Sequence, residues 1–83
     1  MSKFFNIRFV SKSPSGKTDI YQVTDSDDKF VLGKIKWHGA WRKYTFHPCS
    51  DTLYDSGCLN ALSTWLDTFT SWHRDAQRVK TVV

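Results

Sequence analysis

The spacing of apolar residues changes once along the chain, and this change constrains the fold more than any other feature. Between residues 4 and 48, apolar side chains alternate with polar ones in short segments separated by turn residues. A period of two is typical of half-buried β-strands. From residue 58 to about residue 78, apolar residues instead recur every three or four positions, which is the repeat of an α-helix. The sequence therefore predicts a set of strands followed by one helix.

The alternating half divides into four predicted strands, at about residues 4–12, 19–24, 30–38 and 41–47. The connections between them are short, which favours antiparallel neighbours. With a helix at about residues 57–78, we predict an α+β fold. It is a four-stranded antiparallel β-meander packed on one face by a single long C-terminal α-helix (ββββα). Because a chain of 83 residues has no room for two cores, residues 1–83 form a single domain.

The predicted helix has a clear start and a clear buried side. Asp55 or Ser56 can accept hydrogen bonds from the first free amides and so act as the N-cap. Two tryptophans, Trp65 and Trp72, lie beside the apolar stripe. The stripe itself consists of Leu59, Leu62, Leu66, Phe69, His73 and Ala76.

Alternation also assigns the two faces of the sheet. If the apolar residues face the helix, the polar residues between them point to the other side. The residues expected on the helix side are Phe5, Ile7, Phe9, Ile35, Trp37, Tyr44 and Phe46. Those expected on the open face are Arg8, Lys34, Lys36, Lys43 and His47, with Arg42 at the rim beside the turn at Gly39.

Positive charge is concentrated in one hairpin. Residues 29–48 contain five Lys or Arg and no acidic residue, whereas the whole chain, with 12 Lys or Arg and 8 Asp, carries +4. Basic side chains on a sheet face can neutralise nucleic-acid phosphates. Outward lysines on a strand are also an ordinary protection against aggregation, so a binding surface and a merely solvated face both remain open.

Trp41 has the same parity as Lys43 and is expected to be exposed unless the turn bulges. An exposed tryptophan is a typical interface anchor. The alternative is that its ring folds over the hairpin and packs on Tyr44 or on the helix end.

Catalytic and metal chemistry find little support in the sequence. His47, Cys49, Cys58 and His73 lack zinc-ligand spacing, and the aspartates at 25, 27 and 28 suit a solvated turn better than a cation loop. Cys58, in the first helical turn, is better explained by packing than by nucleophilic chemistry. We therefore expect no enzymatic activity, no metal, no cofactor and no small-molecule substrate. No apolar run approaches a membrane span, and the free cysteines favour a cytoplasmic protein.

The segment L-G-K-I-K-W-H-G-A-W-R-K-Y-T-F-H-P, residues 32–48, is followed by T-L-Y-D-S-G-C-L and later by W-H-R. This pattern resembles small proteins of bacteriophages, prophages and other mobile elements, which carry L-G-x-I-x-W-x-x-x-W-R-x-Y-x-F-x-P before a helix that opens with C-L. The resemblance covers residues 30–74 and implies a phage context rather than an activity. Of the matching residues, Arg42 is the one that packing explains least.

Two functions follow as alternatives. The first is a phage accessory protein that binds nucleic acid through a basic, aromatic sheet face. The second is an inhibitor that binds a host nucleic-acid-processing protein, of the anti-CRISPR or another anti-defence type. A homodimer formed through the aromatic surface or an edge strand is a further possibility. The residues expected to bind the partner are Arg8, Lys34, Lys36, Trp41, Arg42, Lys43 and His47.

Overall fold

A computed structural model of the protein describes the backbone of residues 4–82 and the side chains of residues 4–76. It contains β1 (Phe5–Lys12), β2 (Asp19–Asp25), β3 (Val31–His38), β4 (Lys43–Pro48) and α1 (Ser56–Val82). The strands form one antiparallel sheet in the order β1-β2-β3-β4. The predicted ββββα fold is thus confirmed.

Two element boundaries differ from the prediction by more than one residue. Strand β4 begins at Lys43 rather than at residue 41, because Trp41 and Arg42 belong to the turn that precedes it. Helix α1 continues to Val82, four residues beyond the predicted end at residue 78. The sequence after residue 76 contains neither glycine nor proline, so no residue there interrupts the helix.

The turns explain why the chain reverses where it does. Between β2 and β3, the Asp25 carboxylate accepts hydrogen bonds from the backbone N–H groups of Lys29 (2.7 Å) and Phe30 (3.1 Å). This is the turn chemistry expected of an aspartate-rich segment. Before the helix, Asp55 Oδ1 accepts a hydrogen bond from the Cys58 amide at 2.9 Å. Asp55 is therefore the N-cap.

The core takes one buried side chain from each strand and two from the helix. Burial of a large apolar side chain is worth about 1.5–3 kcal/mol, so these residues account for much of the stability. The six buried hydrophobic residues are Phe5, Val23, Ile35, Tyr44, Leu62 and Phe69. The three of them whose side of the sheet was predicted, Phe5, Ile35 and Tyr44, have the predicted parity, so the helix covers the predicted face.

Gly33 sits where strands β3 and β4 approach each other closely. A Cβ added there would overlap the His47 carbonyl oxygen and lie 2.7 Å from Phe46 Cζ. Glycine is thus required by space at this position, which gives one residue of the hairpin pattern a packing explanation.

Rings and one buried hydrogen bond fix the helix on the sheet. Tyr21 stacks on Phe69 with centroids 4.4 Å apart, and Trp37 lies 4.4 Å from the His73 ring. The buried Tyr44 amide donates to Thr70 Oγ1 at 3.0 Å. The helix consequently packs most closely on β4.

This placement leaves some predicted core residues in solvent. Phe9, on the edge strand β1, is 56% exposed and touches the Tyr21 ring, because the helix lies nearer β4 than β1. Leu59 is 52% exposed because the first helical turn is not fully covered by the sheet, and Ala76 is also exposed. Phe9 lies on the predicted side, because it pairs with Tyr21, whose ring stacks on Phe69 of the helix. The prediction that Leu59 and Ala76 belong to the buried side of the helix was wrong.

Candidate functional site

The register places one basic or polar residue from each strand in a single row. Arg8 pairs with Gln22, Gln22 with Lys34, and Lys34 with His47. Directly paired residues in an antiparallel sheet point to the same side. Because Phe5 and Ile35 of the opposite parity are buried under the helix, this row lies on the other side of the sheet, which we call the open face.

Two further pairs continue the open face toward the β3–β4 turn. Lys36 pairs with Thr45, and His38 pairs with Lys43. Alternate residues of a strand are about 7 Å apart, and diagonal neighbours on adjacent strands are separated by a similar distance. The Cβ atoms of Lys34, Lys36 and Lys43 therefore lie at successive spacings of that order, and we call these three residues the lysine stripe.

Arg8 has a partner that the sequence pattern did not reveal. Its guanidinium donates a hydrogen bond to, and forms an ion pair with, the carboxylate of Asp28 in the β2–β3 turn. Thr24 Oγ1 donates to the other Asp28 oxygen at 2.5 Å. The charge of Arg8 is thus balanced locally, and the unbalanced charge of the open face lies on the lysine stripe.

His47 lies on the open face without adding to its charge at neutral pH. Its Nε2 is 2.9 Å from Thr45 Oγ1. Desolvation lowers the pKa of His47, and the positive charge of Lys36 and the His38 ring lower it further. Since a free histidine titrates near pH 6.5, His47 is neutral at pH 7 and acts as a hydrogen-bonding group.

Trp41 is 66% exposed, as predicted, although it lies in the β3–β4 turn and not on the strand whose parity suggested this. Its ring meets His38 edge to face with centroids 4.7 Å apart, at the turn end of the lysine stripe. It also borders a groove of about 490 Å³ between β4 and the helix. The apolar residues that line this groove are Tyr44, Phe46, Leu59, Leu62 and Leu66.

Arg42 takes part in a different surface. It adopts a left-handed backbone conformation, with φ of 56°, and its amide donates to the His38 carbonyl at 2.8 Å. Its own carbonyl accepts a hydrogen bond from Arg74 Nη2 of the helix at 3.1 Å. Arg42 thereby lines a cleft between the β3–β4 turn and the helix, together with Trp37 and His73. The structure thus separates Arg42 from the other predicted site residues.

The two cysteines are free, with Cys49 exposed and Cys58 partly buried. Burial raises the pKa of the Cys58 thiol, and the nearby Asp55 raises it further, so the protonated form is favoured. The residues that the structure describes contain no group of three or more potential ligands that could hold a metal ion. In the same part of the chain, no helix has the length and apolar character needed to cross a membrane.

Comparison with known proteins finds a phage relative. The "Uncharacterized 9.3 kDa protein" of Acholeplasma phage L2 is 39% identical over 62 residues, which are 74% of this chain and 80% of the relative. No protein-family model matches the chain. No solved structure matches it. The predicted resemblance to small phage proteins is confirmed, while the residue pattern that suggested it stays a prediction.

Proposed function

The chain belongs to the family of small phage proteins that includes the 9.3 kDa protein of Acholeplasma phage L2, and on that premise we propose that it is a non-enzymatic accessory protein that binds nucleic acid. The binding surface is the open face of the sheet, with the lysine stripe at its centre. As a phage protein it would act in the cytoplasm of the infected cell.

The lysine stripe is the observation that carries this proposal. Lys34, Lys36 and Lys43 lie on one side of two adjacent strands, at spacings comparable to those between successive phosphates of a nucleic-acid strand. The two ion pairs among the described residues use Arg8 and Lys12, so neither takes a charge from the stripe. Each lysine that contacts a phosphate releases condensed counterions, which favours association at low salt.

Aromatic and hydrogen-bonding groups complete the surface. The exposed rings of His38 and Trp41 stand at the turn end of the stripe and offer a face on which a base can stack. His47, neutral at pH 7, and Gln22 supply hydrogen-bonding groups within the row of Lys34. Such a surface favours binding with little sequence preference.

The test is to measure binding to single- and double-stranded oligonucleotides by fluorescence anisotropy at several salt concentrations. With three phosphate contacts, affinity should fall by about 20- to 40-fold between 50 and 200 mM salt. The double variant Lys34→Glu/Lys36→Glu should bind much more weakly. Lys29→Glu is the matched control, because this lysine lies in the β2–β3 turn away from the stripe. The proposal would be contradicted if affinity did not change with salt. It would also be contradicted if each reversed charge weakened binding equally in the control and in the stripe variant.

A protein partner is the second candidate, and the position of Trp41 favours it. This ring stands exposed at the border of the apolar groove along β4, and tryptophan is enriched among interface hot spots. The partner would be a host nucleic-acid-processing or defence protein that the phage protein inhibits. A pull-down from nuclease-treated bacterial lysate should then recover a specific protein that Trp41→Ser releases and Lys34→Glu/Lys36→Glu retains. Self-association through the same groove would instead appear as a concentration-dependent dimer in light scattering.

A further inference from the structure

A second cationic surface lies on the helix side of the sheet, apart from the lysine stripe. It is a cleft of about 590 Å³ where three segments converge: the β1–β2 turn, the β3–β4 turn and helix α1. This volume is within the range of small-molecule sites. Each segment contributes one cation, namely Lys17, Arg42 and Arg74, and we call the site the cation cleft.

No ion pair among the described residues uses a cation of the cleft, and the Asp19 carboxylate, which lines the neighbouring cavity with Lys17, is paired with Lys12. None of the described residues that line the cleft is acidic. The ion pairs found among residues 4–76 use Arg8 and Lys12, so Lys17, Arg42 and Arg74 keep their full charge. Three like charges on one cavity destabilise the free protein, and an anion of two charges would relieve most of the repulsion.

Hydrogen bonds hold the cleft in a defined shape. The Arg74 guanidinium ties the helix to the β3–β4 turn through the Arg42 carbonyl, at 3.1 Å, and uses only one of its five N–H donors for this. In the β1–β2 turn, Ser15 Oγ accepts from the Lys17 amide at 3.3 Å and lies 3.1 Å from Ser13 Oγ. The site is therefore largely preformed, which lowers the entropy cost of binding.

The remaining lining residues add groups that suit a phosphate ester. Ser15 and Thr18 carry hydroxyls, and His73 carries a ring nitrogen. Gly39 contributes open space, because a Cβ built on it meets no atom within 4 Å. Trp37, half-buried against His73, supplies an apolar wall.

We propose that the cation cleft binds the terminal phosphate of a nucleotide. Such a phosphomonoester carries about −1.5 to −2 charges at pH 7, which matches three cations better than the single charge of a backbone diester. Arginine guanidinium groups bind phosphate oxygens in pairs of hydrogen bonds. This inference is independent of the proposed function of the open face, since the two sites share no residue. The phosphate can come from a free mononucleotide or from the 5′ end of a strand.

The test is an NMR titration of the amide signals with inorganic phosphate, adenosine 5′-monophosphate and adenosine. The two phosphate probes should shift amides of the two turns, and adenosine should not. Lys17→Gln and Arg42→Gln should each weaken binding of the monophosphate by about 10- to 100-fold, the range expected for lost hydrogen bonds to a charged group. Lys17 is exposed, so its variant leaves the fold intact.

The double variant Lys34→Gln/Lys36→Gln is the control and should bind the monophosphate like the wild type. If this variant fails to bind oligonucleotides but still binds the monophosphate, the lysine stripe and the cation cleft are independent sites. A 5′-phosphorylated oligonucleotide that binds better than its 5′-hydroxyl form identifies a strand end as the source of the phosphate, and equal binding identifies the free nucleotide. Adenosine binding as tightly as the monophosphate, no shift with either phosphate probe, or unchanged affinity in both cleft variants would overturn the proposal.

Discussion

We expect the backbone conformation of Arg42 to destabilise the protein. Replacing Arg42 by glycine should therefore raise the free energy of unfolding. A non-glycine residue in the left-handed region costs about 1–2 kcal/mol, and Arg42 has φ of 56°. Glycine adopts this conformation freely but loses about 0.5–1 kcal/mol more through entropy when it is ordered. The substitution retains the backbone groups that bond His38 and Arg74.

Arg42→Ala is the control for the lost guanidinium, because alanine removes the charge and keeps the unfavourable conformation. We expect Arg42→Gly to be more stable than Arg42→Ala by about 0.5–1 kcal/mol, the difference between the two costs. For a domain of this size, 1 kcal/mol corresponds to about 4–8 °C, so Tm should differ by about 2–8 °C.

Thermal and urea unfolding followed by tryptophan fluorescence would measure this difference, and the monophosphate titration would be run on the same samples. Both variants should lose phosphate binding, so Arg42→Gly should gain stability while it loses function. Such opposite changes are typical of sites where backbone strain is retained for binding. An Arg42→Gly protein no more stable than Arg42→Ala would show that the turn stores no strain at this residue, and the reasoning would fail.

Two predictions concern the packing that holds the site. Gly33→Ala should destabilise the protein by about 1–3 kcal/mol, because the new Cβ overlaps the β4 backbone. Its control is Gly39→Ala, whose Cβ meets open space and should change the free energy of unfolding by less than about 0.5 kcal/mol. Urea titrations would measure both values. Thr70→Val should cost about 1–3 kcal/mol because it leaves the buried Tyr44 amide without an acceptor. Thr64→Val is its control, since the exposed Thr64 hydroxyl donates a hydrogen bond to a helix carbonyl. Equal losses of unfolding free energy in the two threonine variants would contradict the role of Thr70.

The features that sequence predicted well are those set by local periodicity. The alternation around Lys34 and Ile35 predicts which residues share a face, and the structure retains this parity over residues 5–9, 33–38 and 43–48. Register shifts between Phe9 and Ser11 and between Val23 and Thr24 interrupt it elsewhere in the sheet. The register around Ile35 is strongly specified, because a shift of one residue there would expose the buried Ile35 and bury a lysine.

The features that sequence could not predict depend on where separate elements meet. The ion pair between Arg8 and Asp28 joins residues 20 positions apart and requires both the β1–β2 register and the conformation of a turn. Exposure of Leu59 depends on where the helix starts relative to the sheet. Only the observation that Arg42 had no packing explanation pointed toward the cation cleft, and its partners Lys17 and Arg74 carried no local signal.

The relative position of the two cationic sites limits what could occupy both at once. Lys43, the last lysine of the stripe, directly follows Arg42 of the cleft in sequence, yet the two belong to opposite sides of the sheet. A ligand that touched both would have to bend sharply around the β3–β4 turn. Double-stranded DNA has a persistence length of about 150 base pairs and resists a bend around a single turn. A single strand is flexible, and its bases could stack on Trp41 at the bend. If one nucleic acid uses both sites, it is therefore single-stranded, with its terminal phosphate in the cleft and its backbone along the lysines.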